Sequence, residues 1–89
     1  MREIELDGRR MDSRVKAHQY IKEMLELPAY YGGNLDALFD CLGEQTGISI
    51  ILTHQSAMAN ALGEYGKRLI QVFVVSAKGR SDLRFRLLD

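Results

Sequence analysis

Tryptophan is absent from this 89-residue sequence, cysteine and proline occur once each, and the net charge is zero. The lone thiol, Cys41, has no partner for an internal disulfide, which suits a reducing compartment. The longest apolar runs, such as Ile48–Leu52, fall far short of the roughly 20 residues that span a bilayer. The opening residues, MREIELDGRR, alternate charge with apolar side chains and lack the apolar centre of a signal peptide. A cytoplasmic protein with no membrane partner is expected. Zero net charge argues against a nucleic-acid partner. What remains is ordinary for a globular protein: 46% hydrophobic and 27% charged residues, too apolar for a disordered chain. At this length the expectation is one domain over residues 1–89, large enough for one core and not for two.

One further absence is local. Residues 24–66 contain five acids (Glu26, Asp36, Asp40, Glu44, Glu64) and no lysine or arginine. The flanks carry the bases, six in residues 1–23 and six in residues 67–89. A uniformly solvated surface intersperses the signs, so the middle of the chain reads as anionic and fitted to a basic partner.

The pattern of elements is legible. Ile4 and Leu6 alternate with charges as in a strand, and "DGRR" turns the chain. Asp12 or Ser13 can cap a helix running to about Glu26, with Ala17, Ile21, Met24 and Leu25 on one face; Leu27-Pro28 ends it. Asn34 caps a short helix over Leu35–Leu42 that Gly43 is expected to terminate. Ile48–Leu52 reads as a strand buried on both sides. A short helix closed by Gly63 follows, then a longer one to about Lys78 and a last strand over Leu83–Leu88. The order β-α-α-β-α-α-β predicts an α/β fold with parallel strands joined by helical crossovers.

The short helix holds the problem. At about 100° per residue, Leu35, Leu38, Phe39 and Leu42 share the inner stripe, and Asp36 and Asp40 stand together on the outer face with Phe39 at their border. Like charges one turn apart repel. Asp36 alone gains from the helix N-terminus, which leaves Asp40 unexplained. A hard cation wants six or more oxygens, and no liganding loop accompanies the pair. A recognition face for basic side chains is the remaining reading, and spacing by itself does not choose between it and a solvated surface.

His18, Leu25, "LP", "YYG" and the "NLDAL" and "DCL" that flank Phe39 together resemble the barstar family, intracellular inhibitors of the secreted ribonuclease barnase. The dense part covers Leu27–Leu42, with looser agreement elsewhere, including "LIQVF" (Leu69–Phe73). The resemblance implies a three-stranded parallel sheet packed with about four helices, and a second helix that plugs a nuclease active site by presenting carboxylates where phosphates would bind. It implies a monomeric non-enzyme without metal or cofactor, whose partner is a basic, extracellular, barnase-like ribonuclease. Tyr30, Asn34, Asp36 and Asp40 fall on its contact positions, Asp40 on the dominant one, and Phe39 stands where the family usually has tryptophan. With Gly32, Gly43 and Glu44 these complete the expected partner-binding set.

The chain also departs from that pattern. Val75 stands where the family generally has a carboxylate in its last helix, and a second aromatic is replaced near Gln45. An alternative is therefore a barstar-fold interaction or regulatory domain with a non-nuclease partner. Of the remaining reactive side chains, His18 projects beside the core and reads as a satisfied, partly buried histidine rather than a catalyst. Cys41 reads as a small hydrophobe, and His54 suggests no site.

Overall fold

The computed structural model describes residues 1–89. Strand β1 (Arg2–Asp7) leads through a 3-10 turn at Gly8–Arg10 into α1 (Arg14–Met24) and α2 (Leu35–Glu44). Then come β2 (Ile48–Thr53), α3 (Gln55–Leu62), α4 (Glu64–Ala77) and β3 (Leu83–Leu88). The strands form one parallel sheet in the order β1-β2-β3, as the sequence predicts. No helix is long and apolar enough to cross a membrane.

Both crossovers step the same way across the sheet. Parallel crossovers are right-handed almost without exception, so the two pairs of helices gather over the same face. Burial alternates accordingly. Ile4, Leu6, Ile50, Leu52 and Leu83 join the 18-residue core, whereas Glu3, Glu5, Arg84 and Arg86 are exposed. Ile50 and Leu52 are sealed from solvent, as expected of the central strand. The strand is not sandwiched between helices, however: Ile51 is buried but lies outside the core cluster, on the opposite face, and Ser49 is half-buried.

Three boundaries and faces differ from the sequence reading. Helix α1 stops at Met24, before the proline, because Glu26 takes a left-handed conformation (φ 53°) and the Leu27 amide donates back to the Lys22 carbonyl; this is the turn that commonly closes a helix. Met24 is consequently 38% exposed rather than packed. Gly43 does not terminate α2. The helix runs on through Glu44, and the positive φ falls at Gly47 (68°) instead.

The core is where α2 is anchored. Leu38 and Leu42 are fully buried and Cys41 nearly so, while Leu35 is only half-buried. The buried stripe of α2 is thus rotated from the predicted one, and Phe39 lies outside it at 50% exposure.

Candidate functional site

The Asn34 side chain accepts the Ala37 amide at 2.8 Å and so fixes where α2 begins, as its sequence position predicts. The chain reaches that cap through Gly33, whose φ of +67° is open to glycine without strain. Asp36, Phe39, Asp40, Gly43 and Glu44 are all exposed along α2, and Tyr30, Gly32 and Asn34 are exposed in the loop before it. Neither Asp36 nor Asp40 takes part in any of the six ion pairs of the molecule. Every residue of the expected set is therefore accessible. Two of them, Asn34 and Gly43, also have structural duties, as the cap and as a helical position.

Sequence reasoning missed the cations that come near this face. Lys78 and Arg80, from the segment between α4 and β3, line a cleft of about 580 Å³ with Phe39, Asp40, Val75 and Asp82. The linear charge map of residues 24–66 gives no sign of them, because they arrive from the end of the chain. Arg80 is nonetheless committed elsewhere. It donates to the carbonyls of Leu42 (3.0 Å) and Gln45 (2.5 Å) and pairs with Asp82 at 3.0 Å. A cation on the last carbonyls of α2 completes a helix end that lacks basic residues of its own, the arrangement the helix dipole favours. Lys78 is in no ion pair, and Asp40 has no ion-pair partner.

Behind the loop, His18 and Tyr31 hold the chain in place. His18 is 4% exposed, its Nδ1 2.5 Å from the Tyr31 hydroxyl and its Nε2 2.6 Å from the Tyr65 hydroxyl. A neutral imidazole has one N–H donor and one acceptor, so one tyrosine accepts and the other donates. The bridge ties α1 to the loop before α2 and to the first turn of α4, which fits the satisfied histidine that the sequence suggests. Burial pushes the Tyr31 phenol well above its ordinary range, with smaller contributions from Cys41 and Tyr65. Burial also pulls the His18 imidazole below its usual value. Arg14 stacks over Tyr65 at 4.2 Å, which further disfavours a second cation here.

A pH prediction follows. The unfolded chain takes up a proton on His18 near pH 6.5 and the folded chain resists it. Unfolded molecules then hold more protons, so stability is full above that pH and falls as the pH drops below it. Melting temperature is expected to decline from pH 7.5 to 5.5 in the native protein, and His18→Gln should flatten this slope. An unchanged slope in His18→Gln would assign the effect to other groups.

Cys41 is free and 7% exposed. Burial raises its thiol pKa, with the Glu44 and Asp40 carboxylates adding to the rise, the opposite of what a nucleophilic thiol needs. The native protein should react with a thiol reagent at a small fraction of the rate seen in denaturant. Cys41→Ala should leave the exposed face of α2 unchanged. Rapid labelling of the native thiol would contradict the packing role.

Taken together, fold and face define a class: a small α/β domain that carries, at its surface, a helix face with two carboxylates in no ion pair. Within that class the chain belongs to the barstar family. The barstar (barnase inhibitor) family model matches residues 1–88. The chain is also similar to "Putative ribonuclease inhibitor YrdF" of Bacillus subtilis (strain 168), 36% identical over an alignment of 77 residues, with 81% of each chain covered.

Proposed function

We propose that this protein is a proteinaceous ribonuclease inhibitor that lays the exposed face of α2 and the loop before it over the active site of a basic, barnase-like extracellular ribonuclease. The reading is supported by family membership and by the inhibitor name of its Bacillus relative. One observation of the molecule carries it: two exposed carboxylates, Asp36 and Asp40, are held on a rigid helix with neither in an ion pair, although Lys78 lines the Asp40 cleft. A nuclease gathers lysine, arginine and histidine around the phosphodiester, so carboxylates can take the phosphate positions and offer no bond to cleave. On this reading Tyr30, Gly32, Asn34, Asp36, Phe39, Asp40, Gly43 and Glu44 form the partner-binding surface. The protein is a single cytoplasmic domain and not an enzyme.

Phe39 supports the same face. Half-exposed, it stands between the Asp40 cleft and a smaller, mostly apolar one of about 250 Å³ lined by Leu35, Asp36, Val72 and Val75. An aromatic with carboxylates on its border provides apolar contact area where the charges provide orientation. The second reading, a barstar-fold domain with a non-nuclease partner, is favoured by Val75, 45% exposed, where a further carboxylate would have extended the acidic patch. It is disfavoured by Asp36 and Asp40 themselves.

The test is the rate of association with barnase or another basic ribonuclease of its fold, followed by stopped flow at low and high salt. Charge steering raises association rates by roughly 10- to 1,000-fold and is lost as salt screens it. The rate should therefore fall at least about tenfold between roughly 0.01 and 1 M salt. A rate independent of salt would remove the electrostatic basis of the proposal.

A further inference from the structure

The helices leave the other face of the sheet bare, and its side chains are arranged in two rows. The strand register aligns Glu3 with Ser49 and Arg84, and Glu5 with Ile51 and Arg86. Since side chains alternate between faces, all six lie on the side opposite Ile4, Ile50 and Phe85. The outer strands thus present an acidic row on β1 and a basic row on β3, separated by the width of β2. All four charged residues are exposed and none belongs to an ion pair. Glu3, Ser49, Arg84 and Arg86 line part of an open depression of about 520 Å³ that continues round the edge of β3 to Ala77 and Arg80. Between the rows Ile51 and Thr53 are already buried, 6% and 8% exposed, and Leu88, aligned with Thr53, is an exposed apolar side chain on this face.

We propose that this face is a docking surface for a second copy of the chain. A two-fold axis along β2 turns the face over and exchanges the two edges. Each acidic row then meets the basic row of the other copy: Glu3 opposite Arg84, Glu5 opposite Arg86, and the same pairs again by symmetry. Such an isologous contact closes on itself and stops at two. A nucleic acid, or a partner of one charge sign, would meet like charge along half of this surface. Charges on edge strands also discourage edge-to-edge pairing, but that role needs only one sign on each edge and leaves opposite signs in register unexplained. The barstar resemblance implies a monomer. At a strand spacing of about 4.8 Å and a rise of 3.3 Å per residue, the face spans only about 300 Å², well below the roughly 800 Å² per partner of a stable complex. The dimer is therefore weak and salt-sensitive. It leaves α2, on the far side of the sheet, free for its partner.

Sedimentation equilibrium on the whole chain tests this. At about 1 mM protein and 0.01 M salt, where charges act over roughly 30 Å, the average mass should rise clearly above the 10.1 kDa of one chain, and at 1 M salt it should return to that value. Two charge-reversed proteins provide the sharper test. Glu3→Arg with Glu5→Arg makes all four positions basic; Arg84→Glu with Arg86→Glu makes all four acidic. Each alone should be monomeric at both salt concentrations. Their equimolar mixture should form a 1:1 dimer, and the protein carrying all four reversals should dimerise again like the native chain. The proposal is overturned if the native chain keeps its single-chain mass in low salt, if either reversed protein still dimerises, or if the fourfold reversal remains monomeric.

Discussion

Replacing Asp40 with alanine is expected to abolish most nuclease binding while leaving the protein as stable as before, or slightly more so. The two effects have separate causes. In the proposed complex, the Asp40 carboxylate would be enclosed among basic groups of the nuclease, and truncation would leave those cations buried and unpaired. Such losses run to about 2–5 kcal/mol, a range to which barnase–barstar pairs themselves contributed, and this corresponds to roughly 30- to 5,000-fold in affinity. In the free protein, Asp40 is exposed and has no ion-pair partner, so little is lost. Repulsion with Asp36 one turn away is relieved, worth about 0.2–0.5 kcal/mol, and alanine is the better helix former by about 0.5 kcal/mol. A melting temperature raised by a few degrees is the expected readout in a domain of this size. Asp36→Ala should show a weaker form of both effects, because Asp36 lies in the first turn of α2, where its charge is favoured by about 0.3–1 kcal/mol. Unfolding of the Asp40→Ala protein, or undiminished inhibition by it, would make the acidic face structural.

Leu38→Ala is expected to do the reverse. Leu38 is one turn from Leu42, fully buried and part of the core that anchors α2. Emptying its site removes apolar burial and leaves a cavity, together about 2–5 kcal/mol, out of a total stability of roughly 5–15 kcal/mol for a domain. A fall of 10 °C or more in melting temperature follows for a chain this short. Since Leu38 is fully buried and lies outside the proposed binding face, binding measured well below the new midpoint should stay within several-fold of the native value. If the folded Leu38→Ala protein lost affinity as severely as Asp40→Ala, the position of the helix rather than its charges would be the determinant. The two substitutions together separate charge from scaffold.

The fold was nearly all legible in the residues because its signals are local. The β-branched run at Ile48–Leu52, the Asn34 cap and the glycine after Leu62 each act within a few positions. What the sequence hid is tertiary. The ideal helical projection put Phe39 on the buried stripe. Packing of α2 onto the core instead selected the stripe through Leu38, Cys41 and Leu42, and turned Phe39 outward. Gly43 looked like a terminator by composition, but Arg80, reaching back from beyond α4, satisfies the Leu42 and Gln45 carbonyls and lets α2 continue to Glu44. The same arginine comes to the edge of an anionic segment that appears free of bases in linear order. Helix α1 was over-extended for a different reason. Proline marks where a helix can no longer continue, whereas Glu26, left-handed against its ordinary preference, marks where this one stops.

The most direct test of the central claim is a titration of ribonuclease activity. A panel of barnase-fold ribonucleases would be assayed on RNA while this protein is added from substoichiometric amounts to tenfold excess. At least one enzyme is expected to lose activity in proportion to added inhibitor, with an endpoint at one inhibitor per enzyme and with substrate competing for the site. Full activity of every enzyme at tenfold excess would contradict the claim.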